Sequence, residues 1–200
     1  MRIVLASQSP RRKELLARLY PDFEVMVSSA DEELPEGVHP REGVEILARR
    51  KGAAVLGITD PCDVIISSDT LVELGGVPLG KPEDEQDAVK MLMSLSGKSH
   101  HVHTGVAVHC NGKVVSGIDT ATVTFKAFSE AEAREYVATG EPMDKAGSYA
   151  IQGLGGALVE KFEGEFEVIV GLGLNLTKKL VDSVLCDACA EASEAVLENE

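Results

Sequence analysis

Residues 3–19 read IVLASQSPRRKELLARL, and this stretch joins a short strand to the start of a helix. The apolar run at 3–6 predicts a buried strand. Ser9 suits the N-cap of a helix, where its side-chain oxygen can accept a hydrogen bond, and Pro10 suits the first helical position, where no N–H is needed. An apolar stripe at helical spacing (Leu15, Leu16 and Leu19) then predicts a helix over about 10–19.

The first turn of this helix carries three cations, Arg11, Arg12 and Lys13, at the positive end of the helix dipole. One interpretation is a surface helix whose cations point into water. The other is an anion site, in which free N–H groups, the dipole and two guanidinium groups converge on a phosphate. Such a site would lie at the carboxyl end of a buried strand, where open α/β sheets bind ligands.

The rest of the chain alternates predicted strands and helices. Strands are expected near 23–27, 64–66 and 168, a hairpin at 71–79, and a longer hairpin with strands at about 100–109 and 114–125. Helices are expected at about 41–56, 84–95, 129–138 and from 174 onward. This order predicts an α/β fold with a mixed sheet and hairpin insertions.

Composition narrows the class of protein. The chain has 200 residues and a formal net charge of −14, which argues against a nucleic-acid partner because a phosphate backbone would be repelled. No apolar run reaches 18 residues, so we expect no membrane span, and the N-terminus does not fit a signal peptide. Four cysteines, at 62, 110, 186 and 189, are too few for a disulfide framework. These features favour a cytoplasmic location.

The C-terminal residues 182–200 carry six carboxylates and no Lys or Arg. We therefore predict a single domain over residues 1–182 and an acidic tail of unknown role over 183–200. Within the tail, Cys186 and Cys189 form a lone C-x-x-C, which we interpret as an incidental pair of thiols because no second pair accompanies it.

Asp69 and Lys81 are further candidates for chemistry. Asp69 follows the apolar run at 64–66, and an aspartate at the mouth of a buried strand suits a metal ligand or a general base, although a turn or cap residue is the alternative. Lys81 lies between a glycine and a proline, which suits a phosphate contact, although an ordinary loop lysine fits equally well.

Two charged stretches have similar alternatives. The acidic loop around Glu32 could supply carboxylates to a hard cation such as Mg²⁺, or it could be a solvated loop. Lys51 ends a run of three cations on a predicted helix, and one of the three could turn toward a cleft while the others are solvated. The glycine-rich strings GLGGAL (153–158) and GLGLNL (171–176) are weak signals alone, and His101 and His103 lack the ligand spacing of a zinc site.

Taken together, several strings resemble the Maf proteins, a family of nucleoside triphosphate pyrophosphatases. They are ASQSPRRKELL (6–16), SSDTLV (67–72), GKPEDEQDAVKMLMSLSGKSH (80–100), TGEPMDKAGSYAIQG (139–153) and VGLGL (170–174). The resemblance extends from Ile3 to about Leu180. It implies an inosine-triphosphatase-like fold, with an elongated mixed sheet, flanking helices and two lobes around a deep cleft, and commonly a homodimer.

The string YAIQG at 149–153 resembles the branch of the family that hydrolyses dTTP and UTP, and the family implies a link to cell-division arrest. By resemblance, Asp69 falls on the catalytic carboxylate, and a divalent cation, Mg²⁺ or Mn²⁺, would be held by Asp69 and Glu32. The substrate-binding and specificity positions matched by the resemblance are Ser7, Arg11, Arg12, Lys51, Thr70, Lys81 and Gln152.

Two other functions stay open at this point. The sister branch of the family prefers 7-methyl-GTP, and a nucleotide-binding septation regulator would show little turnover. The chain also departs from the family pattern, because Gly173 stands where the family usually has proline.

Overall fold

The computed structural model describes residues 1–34 and 36–197, with side chains as far as Leu185. The strands are β1 (Ile3–Leu5), β2 (Glu24–Val25), β3 (Val64–Leu74), β4 (Val77–Leu79), β5 (Ser99–Cys110), β6 (Lys113–Phe125) and β7 (Val159–Glu163). The helices are α1 (Pro10–Ala17), α2 (Pro40–Ala53), α3 (Glu85–Leu95), α4 (Glu130–Val137), α5 (Phe166–Val170) and α6 (Leu174–Leu197).

The described strands form one mixed sheet in the order β2-β1-β3-β5-β6-β7, with β4 beside β3. β1 pairs in parallel with both β2 and β3, whereas β3, β5, β6 and β7 pair antiparallel. The parallel part follows from the crossover through α1 and α2, and the antiparallel part follows from the tight turn at Asn111–Gly112, where both residues have positive φ. The predicted mixed sheet is therefore confirmed.

The strand β3 is longer than expected. We predicted that it would stop at Ile66, but it continues to Leu74 because β5 pairs with it along nearly its whole length. On its other edge, β1 ends opposite Ile66, and β4 pairs only with residues 72–74. Residues 67–71 consequently keep one edge open, and this gap in the sheet becomes the floor of a cleft.

The two faces of the sheet are covered by different helices. Gly105 on β5 lies under α2, and a Cβ added there would come within 2.3 Å of the Val44 carbonyl oxygen. Val106, the next residue along β5, pairs with Gly117 on β6. Gly117 lies under Leu176 of α6, on the opposite face of the sheet. Glycine at these two positions thus lets one long helix pack closely on each side.

Two large hydrophobic cores share the long strands, and a smaller cluster is formed by Val4, Ala6, Val55 and Ile65. The first core lies between β1, α1, α6 and the near halves of β3 and β5, with Leu5, Leu16, Val106 and Val181 among its buried residues. The second core lies between α3, α4 and the far halves of β3, β5 and β6, and includes Leu92, Val102, Phe125 and Tyr136. This arrangement gives the two lobes that were expected.

One predicted element was wrong. Residues around Val168 form the helix α5, not a strand, since a short apolar run does not distinguish the two by periodicity. Gly171, with φ of 125°, ends this helix, and the N–H groups of Gly171 and Leu172 both donate to the Glu167 carbonyl oxygen. The strand β7 was not predicted.

Several predicted boundaries also differ. α1 ends at Ala17 and α2 at Ala53, both before the expected residues, and β2 is limited to Glu24–Val25. The other helices and the long hairpin agree with the sequence, including the capping box between Ser129 and Glu132. In the described part of the chain, no helix has the length and apolar character needed to cross a bilayer.

Candidate active site

A cleft of about 660 Å³ lies over the open edge of β3, between the two cores. Its walls come from the β1–α1 connection, α2, the segment at 80–81 and the loop that precedes β7. All nine predicted site residues line this cavity: Ser7, Arg11, Arg12, Glu32, Lys51, Asp69, Thr70, Lys81 and Gln152. The structure therefore brings together residues separated by as much as 145 positions in the sequence.

Lys51 forms the centre of a charged group in the cleft. Its Nζ lies 2.5 Å from Oδ1 of Asp69 and 2.9 Å from Oε1 of Glu32. Lys51 is 8% exposed and Asp69 7%, so the pair is shielded from water, whereas the Glu32 side chain is 62% exposed. The hydrogen bond from Lys51 lowers the pKa of Glu32 despite its partial burial, and the charges of Lys51, Lys81 and Arg12 act in the same direction. Both carboxylates therefore face the same ammonium group.

Arg12 is fixed by three partners. Its Nε donates to the Gly171 carbonyl oxygen at 2.9 Å, one terminal nitrogen donates to Thr70 Oγ1 at 3.2 Å, and the other donates to Ser7 Oγ at 3.4 Å. Burial lowers the pKa of Arg12, with the charge of Asp69 opposing that shift. A guanidinium held in one orientation loses little conformational freedom when it binds a phosphate.

The start of α1 also remains available to an anion. Ser9 occupies the N-cap and Pro10 the first position, as predicted, but the expected capping hydrogen bond from the Ser9 side chain is not formed. Instead, the Ser9 N–H donates to Ser7 Oγ. Arg11 reaches the cleft lining, and Lys13 is not among the described residues that line it. The first-turn N–H groups, which have no partner within a helix, thus face the cavity together with two guanidinium groups.

Gln152 lies on the loop that precedes β7, in the second lobe. It is exposed to the cleft, and it follows Tyr149, whose hydroxyl hydrogen bonds to His100 Nε2 at 2.9 Å. An amide offers both a donor and an acceptor, which suits the carbonyl and ring N–H of a pyrimidine. The cleft therefore combines the cations of α1 with an amide from a separate loop.

The donor set fits a divalent cation. Asp69 and Glu32 both place an oxygen within hydrogen-bond distance of one positive group, and Mg²⁺ commonly uses one or two carboxylates together with substrate phosphates. No group of three or more His, Cys, Asp or Glu residues suited to a metal ion occurs in the described part of the chain. A cation here would therefore be shared with the substrate and would not sit in a cage made only of protein ligands.

The histidines lie elsewhere, as the sequence indicated. His103 is buried on the α2 face of the sheet, where its Nε2 is 2.8 Å from Oε2 of Glu73 and its Nδ1 is 2.8 Å from Thr120 Oγ1. His101 is exposed beside it. Side chains of Cys186 and Cys189 are outside the described residues, so the interpretation of that pair stays a prediction.

Some residues of the site were not recognised from the sequence. The carbonyl oxygen of Gly171 accepts hydrogen bonds from both Arg12 and Ser68, and this contact joins α5 to the floor of the cleft. Lys145 and Tyr149 also line the cavity. The Gly171 contact leaves no sequence signal because a backbone oxygen makes it, whereas Lys145 and Tyr149 belong to the string that carried the resemblance.

Comparison with known proteins identifies the family. A model described as "Maf-like protein" matches residues 2–184 of the chain. The chain belongs to the Maf family. Curated relatives include the dTTP/UTP pyrophosphatase of Pelotomaculum thermopropionicum, 47% identical over 174 residues, covering 86% of this chain and 91% of the relative. The dTTP/UTP pyrophosphatase of Vibrio cholerae is 46% identical over 180 residues, covering 90% of this chain and 96% of the relative.

Two solved structures are also similar to this Maf protein. The Staphylococcus aureus Ham1 protein matches with a TM-score of 0.49 and 14% identity, covering 96% of this chain and 100% of that one. The nucleoside-triphosphatase / dITP/XTP pyrophosphatase of Mycobacterium abscessus matches with a TM-score of 0.46 and 16% identity, covering 96% and 97% of the two chains.

Proposed function

We propose that this Maf protein hydrolyses dTTP and UTP to the monophosphate and pyrophosphate. The observation that carries the proposal is the buried pair of Lys51 and Asp69 on the floor of a cleft that Arg12 and Gln152 also line. A triphosphate needs cations along its length, a carboxylate near the attacked phosphorus and a group that reads the base. The relatives named dTTP/UTP pyrophosphatase support the same activity.

In the proposed reaction, water attacks the α-phosphorus and pyrophosphate leaves. Asp69 orients the water and accepts its proton, because it is the carboxylate on the floor of the cleft. Lys51 turns from Asp69 toward a phosphate oxygen, which exchanges one anionic partner for another. Arg11, Arg12 and Lys81 neutralise the charge that develops on the leaving pyrophosphate.

Asp69 and Glu32 would hold the divalent cation, Mg²⁺ or Mn²⁺. When bound, such an ion supplies Lewis-acid polarisation of the phosphoryl oxygens. Before the substrate binds, the common contact with Lys51 keeps these two carboxylate oxygens close together in the cleft.

Release of pyrophosphate from a panel of nucleotides, with and without EDTA, tests the proposal. We expect turnover of dTTP and UTP to exceed that of 7-methyl-GTP, and Asp69→Asn to lower kcat by at least about 100-fold, the usual effect of losing a proton acceptor. Asp22→Asn, which alters an exposed aspartate away from the cleft lining, is the matched control and should be unchanged.

Other results would replace the proposal with one of its alternatives. A clear preference for 7-methyl-GTP would assign the chain to the sister branch. Binding of dTTP and UTP without hydrolysis, or full activity of Asp69→Asn, would favour a nucleotide-binding septation regulator. The same proposal includes a cytoplasmic location, a homodimer and no nucleic-acid partner. Sedimentation of the purified chain with and without DNA would test the dimer and the lack of DNA binding.

A further inference from the structure

The loop that carries Gln152 is tied to the rest of the second lobe by Glu141 and Tyr136. Oε1 of Glu141 accepts the Leu154 N–H at 3.1 Å, and Oε2 accepts the Gly155 N–H at 3.0 Å. The Tyr136 hydroxyl donates to Oε2 of the same carboxylate at 2.7 Å, and it accepts the Ala150 N–H at 3.1 Å. One carboxylate and one phenol therefore bind the backbone on both sides of Gln152.

The glycines around this contact show how closely it is packed. A Cβ added at Gly153 would lie 2.0 Å from Oε1 of Glu141, and a Cβ added at Gly155 would lie 2.5 Å from the Tyr136 hydroxyl oxygen. No side chain can occupy either position without displacing the carboxylate or the phenol. The glycine-rich string at 153–156 therefore surrounds an internal carboxylate, and its N–H groups at 154 and 155 are not free for a substrate phosphate.

Hydrogen bonding also sets the charge state of the contact. Although burial acts in the opposite direction, the hydrogen bonds from Tyr136, Gly155 and Leu154 hold the pKa of Glu141 below its ordinary value. Burial and the hydrogen bond to Glu141 raise the pKa of Tyr136. At neutral pH, a charged acceptor thus meets a neutral hydroxyl donor, which is a strong type of hydrogen bond.

Gln152 depends on this backbone anchor. Among the described residues, its side-chain amide forms no hydrogen bond, and the residue is exposed to the cleft. An amide that must read a base needs a defined position, because a displacement of about 1 Å is enough to weaken a hydrogen bond. For Gln152, that position is set through the peptide groups on either side.

We infer that Glu141 and Tyr136 are positioning residues that determine pyrimidine selectivity by holding the backbone on both sides of Gln152. The inference rests on the proposed function, since it concerns how that same site distinguishes UTP from a nucleotide with a different hydrogen-bonding edge. CTP is the appropriate competitor, because it has the same sugar and phosphates but carries an amino group where UTP has a carbonyl.

Steady-state kinetics of Tyr136→Phe and Glu141→Gln with UTP and CTP test this inference. Tyr136→Phe removes one donor and one acceptor while keeping the ring in the second core. We expect the ratio of kcat/KM for UTP over CTP to fall roughly tenfold in each variant, the effect of losing one well-placed hydrogen bond to the base. The loss should appear mainly as a higher KM for UTP, because the phosphate end of the cleft is unchanged.

Two further variants separate this role from a merely structural one. Glu135→Gln changes an exposed carboxylate next to Tyr136 and should leave the ratio unchanged. Gln152→Ala should lower the ratio by itself, and adding Tyr136→Phe to it should lower the ratio no further. Thermal unfolding of each variant would show that it is folded.

An equal loss of activity toward UTP and CTP would overturn the inference, since a distorted fold affects both substrates alike. Independent effects of Tyr136→Phe and Gln152→Ala would overturn it too. By contrast, a wild-type chain that hydrolyses neither nucleotide would contradict the proposed function itself, so the two failures are distinguishable.

Discussion

The buried ion pair of Lys51 and Asp69 makes a quantitative prediction about stability. Lys51→Met removes the ammonium but leaves the Asp69 carboxylate 7% exposed and 2.5 Å from the former position of its partner. Breaking a buried pair by removing one member costs about 3–5 kcal/mol, because the other charge is left without compensation. Asp69→Asn should cost less, about 1–2 kcal/mol, since Lys51 keeps its contact with Glu32 at 2.9 Å.

The double variant distinguishes pairing from other effects of the two substitutions. With both charges removed, neither member of the pair is left uncompensated, so the combined loss should be smaller than the sum of the single losses by about 1–3 kcal/mol. Urea unfolding at 25 °C and pH 7.5, in EDTA and without nucleotide, measures all four free energies of unfolding.

An exposed pair of similar geometry provides the control. Lys178 Nζ lies 2.6 Å from Oδ2 of Asp182, but these side chains are 60% and 54% exposed. Lys178→Met should therefore destabilise the chain far less than Lys51→Met, because an exposed ion pair contributes little to stability. Two results would refute this reasoning. Either Lys51→Met would be no more destabilising than Lys178→Met, or the losses in free energy of unfolding from Lys51→Met and Asp69→Asn would be additive. In both cases, burial would not make the ion pair of Lys51 and Asp69 stronger than an exposed one.

Two further predictions concern His100 and Gly173. Burial lowers the pKa of His100 to about 4, so the stability that depends on its neutral ring is complete above pH 6.5 and is lost as the pH falls toward 4. The free energy of unfolding, measured in urea, should therefore differ between pH 7 and pH 4.5 by about 2 kcal/mol less in His100→Gln than in the wild type. An unchanged difference would refute this. Gly173→Pro should lower Tm, because a Cβ there would lie 2.6 Å from Oδ2 of Asp119 and would clash with it. Asp119→Ala in the same chain should restore Tm. Thermal unfolding that shows no loss of Tm, or no recovery, would contradict the clash.

The sequence predicted much of the architecture because its local signals agreed with tertiary packing. The Asn111–Gly112 turn, the capping box at Ser129 and the apolar stripe of α3 each specify one conformation. The run around Val168 does not, because a five-residue run with four apolar residues fits a buried strand or a buried helix, and the packing of α5 decides between them. β7 escaped prediction because its residues are mostly exposed and show no clear alternation.

The site was less accessible to sequence reasoning than the fold. Lys51 has the same local signal as its neighbours Arg49 and Arg50, and only the seating of α2 on β3 shows that Lys51 turns inward while Arg50 remains at the surface. The first turn of α1 was easier, because cations at the positive end of a helix have a local cost that a bound anion would offset. Residue types therefore marked the anion end of the cleft, whereas the tertiary fold was needed to identify the partner of Asp69.

The two cores share uninterrupted strands, and this restricts how the chain can vary. β3 runs from Val64 in the first core to Val72 in the second, with Asp69 between them. A one-residue insertion within this span would reverse the inward and outward faces of everything beyond it. Either the second core or the cleft would then present the wrong side chains. We therefore expect insertions and deletions only at the ends of the strands and in the surface loops, where they leave the alternation of side chains in both lobes unchanged.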